Sequence, residues 1–559
     1  MIKFSKKITT LSLIAGFSTI ALIGCGGSED ATPNTDATES GAFGTSVFAV
    51  GDLNGVFSPF FYTTAYDDVI NGRVHMGLLG QDRLGQVVPE AATFNIEETT
   101  TDSGDLQTVY TFTLQDGIKF SDGEPMTADD VMFNFLVLLD PTYDGMSTLN
   151  TLPIVGLADY KEGDATEIAG IKKLDDKTVQ VTIDGIDPAA IYKFAISVTP
   201  EHYYGTTFKK GDLSGVKLKN EAPLGAGPFI FDSFANNVVN LVNNPNYFFG
   251  APKLDKLKFQ VIDQANMFEA VRSQQVDLSD PSASPEMVAN VEEAGLHYEL
   301  VDNLGYGYIG INAERVPDIN VRKGLMHLMN RAPAVESYYG DLATVIERPM
   351  STVSWAYPQD ATEYYGYDVA KAKEYFVAAG YTEVDGKLVK DGKQLRIEVG
   401  IPGGGTMDHP TAPVLTQMKS DLEAMGAVLE IADTDGSLFF DVLNQKGWDM
   451  WVAAWGSTAD PDMYQIYHST GPSNHYSIFN DDLDKIIVDA RSTNDVAVRT
   501  NLYQQALDII MDQAVEMPVY QRKNMYVFNP EMINIDSLTD DMTPYYNFYS
   551  ELQNIEMVK

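Results

Sequence analysis

A single cysteine, Cys25, serves the whole 559-residue chain. No intrachain disulfide can form, and zinc or iron–sulfur sites built from several thiolates are excluded. The fold must therefore be held by packed apolar cores. One core is not enough, because chains longer than about 250–300 residues divide into domains. With 44% hydrophobic and 11% aromatic residues, the sequence can fill two or three. Strand and helix patterns interleave without a strict βαβ rhythm, which points to an α/β class with mixed sheets.

The place of that cysteine carries further information. Lys3, Lys6 and Lys7 precede an apolar run from Ile8 to Ile23 that is broken only by Thr, Ser and Gly. This is the pattern of a secretory signal. It is short and polar for a permanent span, which needs about 20 apolar residues. Leu22-Ile23-Gly24-Cys25 resembles the lipobox of bacterial lipoproteins. That resemblance implies cleavage after residue 24 and a diacylglycerol on the Cys25 sulfur. Each buried methylene contributes about 0.8 kcal/mol, so such an anchor leaves a membrane slowly. From Gly26 to Ala42 there is no large apolar residue, and such a composition cannot offset chain entropy. Residues 1–24 are thus expected to be a lipoprotein signal and 25–42 a disordered tether. Everything from 43 onward is expected outside the cytoplasm, on the outer face of the cell membrane, or on its periplasmic side where the host has an outer membrane.

The formal charge is −41, and it becomes more negative once the three signal lysines leave. Nucleic acid and anionic lipid both require basic surfaces, so neither is an expected partner of the body. Local signals mark several elements. "VYTFTLQDGIKF" alternates around Asp116-Gly117 and predicts a hairpin there. Thr127 is placed as an N-cap, with Asp129 and Asp130 near the positive end of a helix that Asp140-Pro141 stops. Asp368 caps another helix that ends at Gly380. A third begins at Asn480, and a longer one runs from Asp495 to Ala514 before "EMPVYQRKNMYVF" turns to strand.

Enzyme signatures are missing from the sequence: there is no GxSxG, HExxH or GxxxxGK[ST]. The seven histidines are scattered, and the gap from His468 to His475 suits neither a helix face nor a zinc loop. "IPGGGTMDHP" is glycine-rich but lacks the Lys-Ser/Thr of a phosphate cradle. No enzyme, cofactor or metal is expected. Three of the four tryptophans fall in "GWDMWVAAWGSTADPDMYQIYHSTG". As a strand, Asp449 to Trp455 puts Trp451 and Trp455 on one face and Met450, Val452 and Ala454 on the other. That face could fill a core, or it could wall a ligand site with aromatic rings, strand amides and the Asp460 carboxylate.

Five ordered blocks tell more. They are "YTFTLQDGIKFSDGEPMTADDVMFNF", "PLGAGPFIFDSF" with "NPNYFFGAPKLDKLKF", "INAERVPDINVRKGLMHLMNR", "DVAKAKEYFVAAGY" and "EMPVYQRKN". Together they resemble the extracytoplasmic solute-binding proteins of peptide-importing ABC transporters, the oligopeptide- and dipeptide-binding family. The likeness runs from about Val47 to Val527. It implies a periplasmic-binding-protein-like type II clamshell with an additional family-specific domain. On that basis lobe I is expected over 43–80, 221–310 and 520–559, the extra domain over 81–220, and lobe II over 311–519. The resemblance further implies a monomer that captures oligopeptides or dipeptides between its lobes and hands them to ABC permease subunits. Relatives of this fold also bind nickel chelates, haem, sugars or opines, or sense peptide signals, and those ligands stay open here. Asp460, aligned through Pro461, is implied as the partner of a peptide α-ammonium. Trp455, Gly456 and Ser457 match the strand whose backbone meets the peptide, and Trp451 on the same strand face is a further ligand-binding candidate. "FSPFFYTTAYDD" matches the cleft-lining segment of the first lobe, which makes Thr63, Thr64 and Tyr66 candidates.

Overall fold

A computed structural model describes residues 44–407 and 409–558. The expected signal, the lipidated Cys25 and the tether lie outside the described residues. Ten strands form the path of one large mixed sheet. They are β1 (Thr45–Val50), β2 (Phe229–Ala235), β3 (Val238–Asn243), β4 (Lys256–Val261), β5 (Leu278–Ser279) and β6 (Tyr306–Ile311), followed by β7 (Arg396–Ile401), β8 (Val428–Asp433), β9 (Met450–Trp455) and β10 (Glu516–Phe528). Their order across the sheet is β2-β3-β4-β1-β5-β10-β6-β9-β7-β8. This is the two-lobe α/β architecture, and β10 is the strand that both lobes share.

The 13 residues of β10 work in two halves. Glu516 to Tyr520 pair with β6 and pack Met517 and Val519 into one core. Lys523 to Phe528 pair with the strand His297–Asp302 and send Met525 and Val527 into another. Between them sits Gln521, fully buried. Its Oε1 accepts from the Thr352 amide at 2.7 Å and from the Thr352 hydroxyl at 3.0 Å. Its Nε2 donates to the Asn303 carbonyl at 2.7 Å and to Ser351 Oγ at 3.0 Å. A buried amide is tolerated only when so satisfied. Strand β6 pairs with β9 and packs Ile309 and Ile311 into the core that also holds Met517 and Val519.

A third body has its own core, from Phe60 to Ala226, under a four-stranded antiparallel sheet. In its strand Leu106–Leu114 the residues Thr108, Tyr110, Phe112 and Leu114 are buried in period two. The hairpin expected at Asp116-Gly117 does not form. Both edges of that strand are already taken, by Ala92–Thr100 and by Thr178–Asp184. The chain turns at Gly117 (φ 87°) and instead makes a small bridge from Lys119 to Pro125 around Gly123.

The helix starts follow local capping chemistry. The helix α1 (Ala65–Val74) is capped by Thr64. At the head of α2 (Ala128–Leu138), Asp130 Oδ2 accepts the Thr127 amide at 2.8 Å, while its Oδ1 accepts the Glu201 amide at 2.9 Å. Asp368 caps α3 (Val369–Ala378), Asn480 caps α4 (Asp481–Ala490) and Asp495 caps α5 (Val496–Gln513), each through its side chain.

The sheet of the second lobe is closed around β6, buried at every position. Gly307 and Gly310 on it make room for the rings of Tyr520 and Trp451, which a Cβ would strike. On β9, Trp451, Ala453 and Trp455 face one core, and Met450 and Val452 face the other. Glu516 lies beneath the aromatic side, accepting from Tyr467 Oη at 2.8 Å and Tyr306 Oη at 3.1 Å. Burial pushes its carboxyl up to about 7, against the pull of three tyrosine hydroxyls.

Two outcomes test this packing. Gly310→Ala should cost about 2–3 kcal/mol in urea unfolding, because backbone and indole must both move. Gly456→Ala, where a Cβ meets open space, should stay within about 0.5 kcal/mol of the parent. For Glu516 the folded carboxyl holds its proton to higher pH than the unfolded one. Its burial is therefore tolerated below about pH 4.5 and is paid for progressively as pH rises toward 7. Glu516→Gln should gain stability relative to the parent from pH 5 to pH 8, by roughly 1–3 kcal/mol. A difference that does not change with pH would refute this assignment.

Candidate functional site

The C-terminal half of α1 is the starting point. Gly225 and Gly227 of "GAG" have no side chain to hold off their neighbour, so they lie directly on the backbone of Val74 and His75. The Gly227 amide donates to the Val74 carbonyl at 2.8 Å, and Asn244 holds the Gly227 carbonyl at 2.8 Å. So clamped, α1 turns one face toward open space. Tyr62 before the helix and Ala65, Asp68, Val69, Gly72 and Arg73 on it line a cavity of about 760 Å³. A second cavity of about 820 Å³ meets it at Gly72 and Arg73. Both are walled by Tyr192 and Ala195 of the third body and by Tyr545 and Tyr549 of the C-terminal segment. Volumes of this size are those of small-molecule and peptide sites.

The walls are phenolic. Burial raises Tyr192, Tyr545 and Tyr62 above the usual tyrosine range, so these hydroxyls are neutral and can both donate and accept. Tyr192 also feels the charge of Asp460, and the Tyr545 hydroxyl donates to the Thr458 carbonyl at 3.4 Å. The cavity region thus reaches the loop that follows β9. Asn494 and Glu98 add a further contact between the second lobe and the third body, at 3.2 Å.

In that loop, Trp455 is the last paired residue of β9, opposite Tyr306. Gly456 and Ser457 beyond it make no backbone hydrogen bond to any described residue. Trp455, Gly456, Ser457 and Asp460 line a small cleft of about 80 Å³. The loop is fixed from beneath. Arg499 on α5 places Nη2 2.8 Å from both oxygens of Asp460, with hydrogen-bond geometry only to Oδ1. Trp355 Nε1 donates to the Ala459 carbonyl at 3.1 Å. Burial raises the Asp460 carboxyl and Arg499 opposes it.

The expected residues therefore separate. Trp455, Gly456 and Ser457 stand together at the end of β9. Asp460 is beside them, with its buried carboxylate bonded to Arg499 through Oδ1 and with Oδ2 without a hydrogen-bond partner among the described residues. Trp451 is fully buried, with Nε1 3.3 Å from the Tyr308 hydroxyl, so it belongs to the core and not to a ligand wall. Thr64 is occupied in capping α1, accepting the Asp67 amide at 3.0 Å. Thr63 accepts from Asn54 at 2.9 Å. Tyr66 rests its ring on Gly51. None of Thr63, Thr64 and Tyr66 lines the cavities described; the next face of the same helix does. Helical spacing from Ala65 to Val69, Gly72 and Arg73 could have found that face. The tyrosines come from distant segments and left no such trace.

The chain matches the model of the Bacterial extracellular solute-binding proteins, family 5 Middle, over residues 88–477. It is 28% identical over 433 residues to the Oligopeptide-binding protein AppA of Bacillus subtilis, covering 74% of this chain and 76% of that protein. It is 25% identical over 568 residues to Heme-binding protein A of Haemophilus influenzae, covering 92% and 94% respectively. Its fold is similar to the crystal structure of the ABC transporter substrate-binding protein CtaP of Listeria monocytogenes. That match has a TM-score of 0.71 at 20% identity and covers 92% of this chain and 99% of the other. None of the described helices is long and apolar enough to cross a membrane. With more than half its length under the family model, this chain belongs to the bacterial extracellular solute-binding proteins of family 5.

Proposed function

We propose that this chain is the lipid-anchored capture subunit of an ABC importer and binds short peptides in the cavity beside α1. The observation that carries the reading is the strand end at Gly456 and Ser457. It makes no backbone hydrogen bond to a described residue, and Tyr545 of the cavity wall reaches the same loop at the Thr458 carbonyl. An extended peptide can pair its main chain with such an end, as in β-strand addition. Main-chain pairing is common to all peptides, and phenols adapt as donors or acceptors, so many side chains are accommodated. The B. subtilis relative, named for oligopeptide binding, supports the same ligand class. Asp460 and Arg499 act here by fixing the loop that presents the strand end. Lipidation at Cys25 and the tether to residue 42 hold the body near its permease, and the protein acts as a monomer. The domain limits given above are retained as proposed.

Native mass spectrometry of gently purified protein should show peptide adducts that leave on denaturation. Removing them should lower the unfolding midpoint, since a ligand at one hundred times its Kd adds about 2.7 kcal/mol. Haem absorbance, bound metal or a sugar in place of peptide would reject the peptide reading. Asp460→Ala should destabilise the peptide-free protein by about 3–5 kcal/mol, the cost of leaving one buried partner alone. N-acetylation of a ligand should leave its affinity nearly unchanged.

A further inference from the structure

Arginines withdrawn from solvent are well provided for in this protein, with one exception. Arg322 donates to the carbonyls of Val316, Pro317 and Gln513. Arg331 donates to the carbonyls of Ile346 and Pro518 and to Glu347. Arg348 and Arg499 are bonded as fully. Such pairing is required, since a buried charge without a partner is strongly destabilising. Arg73 has none of it. The residue is half-buried, and its Nε and Nη1 are buried with no hydrogen-bond partner among the described residues. The Tyr549 ring lies 4.3 Å from the guanidinium carbon, which attracts the charge but does not use the N–H groups.

The surroundings leave this cation open. Asp68 and Glu90 are near enough for their charges to be felt, yet neither forms an ion pair with it among the described residues. Glu90 accepts the Gly77 amide at 3.0 Å instead. The other cation in the wall, Lys193, is engaged with Thr151 Oγ1 at 3.0 Å and with Asp187 at 3.9 Å. Arg73 stands where the two cavities meet, on a helix end fixed by the Gly225–Gly227 clamp. A planar fork of unused donors in a phenolic cavity is complementary to a carboxylate.

We propose that Arg73 is the anion anchor of the cavity and takes a carboxylate of the bound solute. The inference rests on the reading of this cavity as the ligand site. For a peptide, the carboxylate is the C-terminus or an acidic side chain. Either supplies the missing acceptors, and the guanidinium then fixes which end of the ligand lies beside α1.

The test compares the full chain with Arg73→Gln and Arg73→Lys by calorimetry. The probes are a mixed tripeptide pool without Asp or Glu as free acids, the same pool as C-terminal amides, an amidated pool with one Glu, and citrate. Arg73→Gln should lose about 10–100-fold in affinity for carboxylate-bearing probes, with partial rescue by Arg73→Lys. A loss on the free acids assigns the C-terminus, and a loss on the Glu pool assigns the side chain. The plain amides should bind parent and variant alike. Without ligand, Arg73→Gln should unfold at or above the parent midpoint, because it removes an unpaired charge. If only citrate binds and Arg73→Gln abolishes that binding, the anchor stands and the peptide reading falls. Plain amides bound as tightly as both the free acids and the Glu pool, no Arg73 dependence for any probe, or a lower ligand-free midpoint in Arg73→Gln would each overturn the anchor.

Discussion

Both lobes are built on one strand. Because β10 supplies Met517 and Val519 to one core and Met525 and Val527 to another, neither lobe has a complete sheet without it. A strand twists but does not stretch, so the distance between the two cores is set by a few residues of extended chain at about 3.3 Å each. Gln521 occupies that interval and is bonded on all sides to Thr352, Ser351 and Asn303. The crossing is therefore a polar joint inside an apolar sheet. Relative movement of the lobes would have to exchange these bonds, whereas movement within either lobe would break close packing. The cavity beside α1 is walled by α1, the third body and the C-terminal segment.

Polar satisfaction separates what holds the structure from what is left for a ligand. Arg322, Arg331 and Arg499 each end on carbonyls or carboxylates of the protein, and the chain segments they touch are thereby fixed. Asp460 falls in this class even though it borders the candidate site. A buried ion pair contributes little net stability over an apolar pair of the same shape, but removing one member is costly. Such a pair suits a supporting role better than ligand exchange, because every binding event at Asp460 would have to compete with Arg499. Gly456, Ser457 and Arg73 show the opposite pattern. Their donors and acceptors are made available by the fold and are not consumed by it.

The sequence was legible wherever the physics is local. Asp368, Asn480 and Asp495 each accept the amide three positions on, and the Thr127 amide donates to Asp130 three positions on, so their neighbours suffice to identify them. The two faces of β9 follow from period two. The hairpin at Asp116-Gly117 failed because its turn signal is local but the competition for the strand edges is not. The same limit hid the pairing of Asp460 with Arg499, which is set by how α5 packs. Trp451 and Trp455 share a face, and no pattern in the chain distinguishes the indole that is covered from the one at the strand end. What covers Trp451 is Tyr308 and Tyr476, from two other segments.

The family blocks illustrate the same division. "DGIKFSDGEPMTADD" is spent on the core of the third body, where Phe120 is buried and Asp130 ties α2 to Glu201. "PLGAGPF" seats the end of α1. These motifs are recognisable because they solve folding problems that every member of the fold shares. The cavity wall is assembled from residues of α1, the third body and the last fifteen residues of the chain, so no single block of sequence spells it out. A charge that the fold neither needs nor neutralises, such as Arg73, is therefore better evidence about the solute than any of the blocks that reveal the family.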